Sequence, residues 1–203
     1  MKKFLVIGVI AIVIGFIIYP FFESPEKITN YPSTGRDIVA FGDSLVLGIG
    51  STQGGGFVEM LSEDLGKPTI NLGVSGNTTK DALNRIDQIS KYKPKVVLVL
   101  LGGNDFLQKV PVEEVFANLD KIVEEIQKTC AVVLLIGIEG HVISNSHGKY
   151  FKKLAEKRGT AYVPDILDGI FGQTKLMSDN LHPNDLGYRM MTNRIEPVLE
   201  SVI

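Results

Sequence analysis

Short apolar runs and helical spacings take turns along residues 37–203. DIVAFGDS (37–44), TINLGV (69–74), KVVLVLLG (95–102) and AVVLLIGI (131–138) are rich in aliphatic and β-branched residues and do not alternate strictly with polar ones. A strand with one wet face would alternate. Runs that are apolar throughout suit strands covered on both faces, as in a parallel sheet. TAYVP (160–164) is a weaker fifth run of the same kind. Between the runs, apolar residues recur every three or four positions, the period of a helix with one buried face. Phe57, Met60, Leu61 and Leu65 form one such stripe, stopped by Gly66. Leu83, Ile86 and Ile89 form a second, behind Thr78 and Thr79, either of which can cap it. Pro111 opens a third, with Val115, Leu119, Ile122 and Ile126 on one side and acidic residues early. Tyr150, Leu154 and the terminal Gly159 frame a fourth, and residues 185–202 hold a fifth that Pro197 is expected to bend or interrupt.

Strand alternating with helix five times predicts βαβ units with right-handed crossovers and a helix–sheet–helix sandwich of the α/β class. In such sheets ligands bind beyond the carboxyl ends of the strands, so the chemistry is expected in the loops that follow the runs.

The chain's densest apolar stretch lies outside this pattern. Phe4 to Phe22 carries no charge over 19 positions and has no polar face. As a helix it would reach about 28 Å, close to the ~30 Å hydrocarbon thickness of a bilayer. Lys2 and Lys3 precede it and Glu23 and Glu26 follow, which predicts a cytoplasmic N-terminus and export of the rest. The exit, Tyr19-Pro20-Phe21-Phe22, is bulky where a cleavage site needs small residues, so a retained anchor is favoured over a cleaved signal. The expected organisation is an anchor over residues 1–22, a linker over 23–36 and one domain over 37–203. The domain would face the periplasm or the exterior, tethered to the membrane, or be secreted if the segment is cut.

Composition removes several alternatives. With 203 residues, 21 Lys+Arg and 23 Asp+Glu, the net charge is -2, which gives no electrostatic case for nucleic acid. One cysteine excludes an internal disulfide framework, and Cys130, at the start of an apolar run, reads as a buried thiol. Gly54-Gly55-Gly56 lacks the Lys and Ser/Thr of a phosphate loop. His141 and His147 are read as solvated loop residues and not as metal ligands.

Four strings stand where strands end: Gly42-Asp43-Ser44-Leu45, Asn71-Leu72-Gly73-Val74-Ser75-Gly76-Asn77, Gly102-Gly103-Asn104-Asp105 and Asp179-Asn180-Leu181-His182-Pro183. A serine at a strand end is placed to act as a nucleophile, and it is inert near neutral pH without a base, so His182 is required within reach. Asp179, three residues earlier, can reach the far imidazole nitrogen through one short turn, holding the tautomer and stabilising the imidazolium. The oxygen of an attacked carbonyl needs donors, and the Ser44 and Gly73 amides and the Asn104 side chain are suitable. Asp43 and Asp105 are read as structural acceptors for loop amides. Phe106, Leu107, Val110, Val142 and Ile143 follow strand ends and are expected to line an acyl pocket.

The four strings together resemble the SGNH hydrolases, the GDSL esterases and lipases. Ser44, Gly73, Asn104 and His182 match that superfamily's four named positions, and Asp179 its D-x-x-H-P string. FGDSL, NLGVSGNTT and the LLGGND block make the chain most similar to the arylesterase, lysophospholipase L1-like and acyl-CoA thioesterase group. The resemblance implies a flavodoxin-like, mostly parallel five-stranded α/β/α fold. It also implies hydrolysis of acyl esters or thioesters, small or lipidic, through an acyl-serine, without metal or cofactor. Two features depart from close thioesterase relatives: the tether, and a 139–149 segment without a Leu-Pro-rich substrate loop. Acyl-chain preference is left open by them. The alternatives are a carbohydrate O-acetylesterase of the cell envelope using the same residues, and a tethered binding domain without chemistry.

Overall fold

The computed structural model describes residues 27–52, 54–139 and 147–203. The expected anchor, residues 1–22, lies outside them, and among the described residues no helix is long and apolar enough to cross a membrane.

All five apolar runs form strands: β1 (Asp37–Gly42), β2 (Thr69–Gly73), β3 (Pro94–Leu100), β4 (Val132–Ile136) and β5 (Ala161–Val163). They pair in parallel in the order β2-β1-β3-β4-β5. Alternate residues of each central strand feed two different cores. Ile38, Ala40, Val96, Leu98, Leu100, Val132 and Leu134 pack on one face, against α2 (Gly56–Leu65) and α7 (Asp185–Glu200). Val39, Phe41, Val97, Val99, Val133 and Leu135 pack on the other, against α5 (Val112–Gln127) and α6 (Gly148–Arg158). With both faces dry, the central strands stay apolar past Asp37 in β1 and Lys95 in β3 at their amino ends, which is why the runs read as continuous. The remaining helices are short: α1 (Ser44–Leu47), α3 (Thr79–Leu83) and α4 (Gly103–Leu107), each beginning within a few residues of a strand end or its loop.

Two helix expectations change. The Leu83–Ile86–Ile89 stripe is not one helix. Thr78 caps α3 through a reciprocal box with Asp81, and a separate 3₁₀ helix follows over Ile86–Lys91. Helix α7 runs through Pro197 without interruption. The missing N–H falls in the last turn, where only one ladder bond is lost. Cys130 is exposed, not buried: it sits in the turn before β4 at φ 62.

The stretch read as linker lies, from Lys27 onward, against the domain. Thr29 N–H donates to Gly159 O at 2.8 Å and Asn30 Nδ2 to Gln127 O and Ala131 O. Ser33 Oγ donates to Cys130 O, and Arg36 N–H to Lys93 O.

Two arginines tie elements together. Arg158 makes two bonds to Asp120, at 2.7 and 2.6 Å, and one to Glu124, joining α6 to α5. Arg85, between α3 and the 3₁₀ helix, donates to Gly42 O (2.7 Å), Leu72 O (3.0 Å) and Asn77 Oδ1 (2.6 Å) while its guanidinium lies 4.3 Å over the Phe41 ring. It thereby fastens the ends of β1 and β2 and the loop beyond them at one point.

Hydrogen bonds from Arg158 hold the Asp120 carboxyl down at about 2. A depressed carboxylate stabilises the fold above its unfolded value and loses that contribution as pH falls through the folded one. Asp120→Asn is therefore expected to lower the thermal midpoint at neutral pH. Its deficit against the parent should shrink between about pH 4 and pH 2 in melts followed by circular dichroism. Arg85→Ala leaves partly buried carbonyls short of donors and is expected to cost about 2–4 kcal/mol in urea unfolding. Arg85→Lys should recover only part, since one ammonium cannot reproduce a planar fork across three acceptors.

Candidate active site

Strand β1 delivers its last residues into a crowded corner. A Cβ on Gly42 would sit 2.3 Å from Leu100 O, and one on Gly73 would sit 2.2 Å from Leu47 N. Only hydrogen at both positions lets the ends of β1, β2 and β3 meet helix α1 this closely. Ser44 is the first residue of α1, one residue past Asp43, which caps the helix by accepting Leu45 N–H at 3.0 Å.

His182 arrives from the other end of the sequence on a tight loop. Met177 and Pro183 form an antiparallel bridge, Ser178 N–H and Oγ both donate to His182 O, and Asn184 caps α7 through Leu186 N–H and Gly187 N–H. Within the loop, Asp179 Oδ1 accepts the Leu181 and His182 amides, each at 2.7 Å, and its Oδ2 lies 2.8 Å from His182 Nδ1. These bonds, the imidazole's first, hold the Asp179 carboxyl down at about 2, although its side chain is 54% exposed. The opposite ring nitrogen, Nε2, lies 3.1 Å from Ser44 Oγ. Two contacts lock the loops carrying these groups: Tyr188 OH donates to Ile49 O at 2.7 Å, and Asp185 accepts from Ser51 Oγ, Thr52 N–H and Thr52 Oγ1.

The expected oxyanion donors gather at the same corner, but two of them are engaged. Gly73 N–H donates to Asn71 Oδ1 at 2.9 Å, and Asn104 Nδ2 to Asn77 O at 3.0 Å, with a longer 3.4 Å contact to Asp43 Oδ2. Asn71 also ties β2 to α1 through Nδ2 and Val46 O. Asn71, Asn77 and Arg85 were not among the expected site residues. The two asparagines stand inside a quoted string, but Arg85 bonds mostly to distant backbone, which marks no pattern.

The two neighbouring acids are structural, as expected. Asp43 is 2% exposed and burial pushes its carboxyl up to about 7, against the opposing pull of the Leu45 amide and His182. Asp105 is also raised by burial and accepts both Thr79 N–H (2.8 Å) and Thr79 Oγ1 (2.6 Å), pinning the β3 loop to the start of α3.

A cleft opens beside Ser44 and His182, walled by Leu45, Leu107, Ile138, Leu167, Phe171 and Leu181 together with Asn104. Of the five expected pocket residues, Leu107 lines it. Phe106 does not: its half-buried ring is packed beneath Gly102 and against both cores, 4.5 Å from the His147 ring. Val110 likewise packs into the core beside α5. Adjacent residues of a short helix point apart, so Leu107 faces out where Phe106 turns in. Val142 and Ile143 lie outside the described residues, as does His141. Ile138 closes the fourth apolar run, just past β4, whereas Leu167 and Phe171 come from the segment after β5, which no apolar pattern singled out.

This fold has known counterparts. The chain is 26% identical over 180 residues to Esterase TesA of Pseudomonas aeruginosa, covering 83% of this chain and 90% of that protein. It is 26% identical over 156 residues to Thioesterase 1/protease 1/lysophospholipase L1 of Escherichia coli K12, covering 72% and 75%. Among solved structures, the psychrotrophic esterase EstA from Pseudoalteromonas superposes with a TM-score of 0.72 at 28% identity, over 81% of this chain and 97% of that one. Residues 40–190, which hold all four strings, match the GDSL-like Lipase/Acylhydrolase family, and the chain belongs to it.

Proposed function

We propose that this protein is a serine esterase that hydrolyses acyl esters or thioesters through an acyl-serine intermediate. We also propose that residues 4–22 tether it to a membrane with the catalytic domain on the periplasmic or extracellular face. The observation that carries the first reading is the unbroken line from Asp179 Oδ2 to His182 (2.8 Å) to Ser44 Oγ (3.1 Å), ending at the mouth of an apolar cleft.

In the first step His182 Nε2 takes the Ser44 proton as Oγ bonds to the substrate carbonyl carbon. Asp179, ionised throughout the working range, keeps the proton on Nδ1 and stabilises the imidazolium that forms. The carbonyl oxygen, now negative, is received by the Ser44 and Gly73 amides and the Asn104 side chain. For the last two this is an exchange of partner, from the neutral acceptors Asn71 Oδ1 and Asn77 O to an oxyanion. Bonds to a charged acceptor are roughly twice as strong as neutral ones, which drives the exchange in the transition state and not before. The tetrahedral centre collapses, the alcohol or thiol leaves with the proton from His182, and water repeats the cycle to free the acid and restore Ser44. The acyl chain lies against Leu107, Ile138, Leu167 and Phe171.

Ser44→Ala is expected to abolish both hydrolysis of p-nitrophenyl butyrate and labelling by a fluorophosphonate probe. Labelling that persists in the variant would overturn the assignment. Asp179→Asn should reduce kcat by up to about 10⁴ with the fold intact, read from steady-state kinetics beside a melting curve. A series of esters from C2 to C16 tests the acyl assignment. A rate that climbs with chain length supports an apolar acyl group, whereas a sharp C2 optimum would point to acetyl esters instead.

A further inference from the structure

The described chain enters the domain at the end opposite its reacting groups. Thr29 and Asn30 bond to Gly159 and Ala131, the residues leading into β5 and β4. Arg36 bonds to Lys93, immediately before β3, and leads directly into β1. All five strands are parallel, so these contacts mark the amino ends of four of them. Ser44, Gly73 and Asn104 stand at the carboxyl ends of β1, β2 and β3.

Between the charge-free run, which ends at Phe22, and Thr29, the first residue shown bonded to the domain, stand six residues, Glu23 to Ile28. Fully extended, that interval spans about 25 Å. A domain the size of residues 37–203 has a radius of gyration of about 15 Å, hence a diameter of about 40 Å. A tether of that reach lets the domain lean but not invert.

We propose that the Ser44 cleft faces away from the bilayer holding residues 4–22, and that its substrates are acyl esters arriving from the aqueous side, not lipids of that bilayer. The inference rests on the esterase and tether readings above. The exposed apolar residues agree with it. Leu47, Ile49, Val74, Leu107, Leu181 and Leu186 all lie within a few residues of Ser44, Gly73, Asn104 or His182, and Tyr31 alone among the large exposed hydrophobics of the described residues is at the pinned end. A site turned from the bilayer needs its own apolar surface to draw an acyl chain out of water.

The exposed Cys130, the sole cysteine, sits in the turn at the pinned end and offers a direct test. The full chain is placed in phosphatidylcholine vesicles containing brominated lipid, with a fluorophore on Cys130 or, in a Cys130→Ser background, on Leu186→Cys. Quenching at position 130 is expected to be at least twice that at position 186. Equal or reversed quenching overturns the inference, as does failure of the chain to float with the vesicles. A second arm inserts sixty Gly/Ser residues between Glu26 and Lys27, a flexible span of about 43 Å. Both forms should hydrolyse water-borne p-nitrophenyl butyrate equally. On a bilayer-held long-chain ester that both hydrolyse in detergent, the long-tether form should be at least tenfold faster, and equal rates there also overturn the inference. Loss of butyrate hydrolysis in both forms would instead sink the esterase reading, which the quenching arm does not depend on.

Discussion

Dryness on both faces of the sheet constrains everything else in the molecule. Residues from Ile38 to Phe41 and from Val96 to Leu101 are each at most 3% exposed, so no functional polar side chain can be carried mid-strand without being buried among hydrocarbon. Polar chemistry is displaced to the strand ends. Because the strands are parallel, the carboxyl ends of β1, β2 and β3 all open at one edge, where their order reverses around β1. Three of the four strings that carry the site follow those ends. The fourth, the His182 loop, is brought there by α7 packing across the sheet from the opposite end of the sequence.

Convergence of loops from such distant parts of the chain requires fasteners, and these are largely interactions with backbone. Arg85 holds Gly42 O, Leu72 O and the Asn77 side chain; Tyr188 and Asp185 hold the segment after α1. Asp105 grips Thr79 across 26 residues, and Asp43 takes the Leu45 amide from within the corner itself. The raised carboxyls of Asp43 and Asp105 are the electrostatic sign of that arrangement: acids are buried there to accept loop amides, at a desolvation cost their hydrogen bonds offset only in part. Asp179 is the opposite case. Solvated and held by two amides and an imidazole, it stays ionised, which is the state its partnership with His182 needs.

What could be read beforehand follows from how local each signal is. Strand runs and helix stripes are local and periodic, so β1 to β5 and the faces of α2 and α5 were legible. The D-x-x-H spacing was also legible, because one turn spans it. Arg85 was not, since most of its acceptors are carbonyls that any residue carries. Phe106 and Leu107 are adjacent and both apolar, and only the orientation of α4 separates core from cleft. Cys130 looked buried because an apolar run follows it, yet the run begins after the turn. For Gly73 and Asn104 the position was legible but not the engagement of their donors by Asn71 and Asn77.

Those engaged donors and the direction of the proposed tether bear on one another. A corner in which the Gly73 amide and the Asn104 side chain already have partners is organised before substrate arrives. The apolar cleft then supplies affinity for an acyl chain, while the exchange of Asn71 and Asn77 for an oxyanion keeps the stronger bonds for the transition state. An enzyme drawing lipid from its own membrane would gain most from a site beside the anchor. This chain instead lays residues 27–36 along the amino ends of the strands, pins them there by hydrogen bonds, and puts the whole depth of the sheet between that attachment and Ser44.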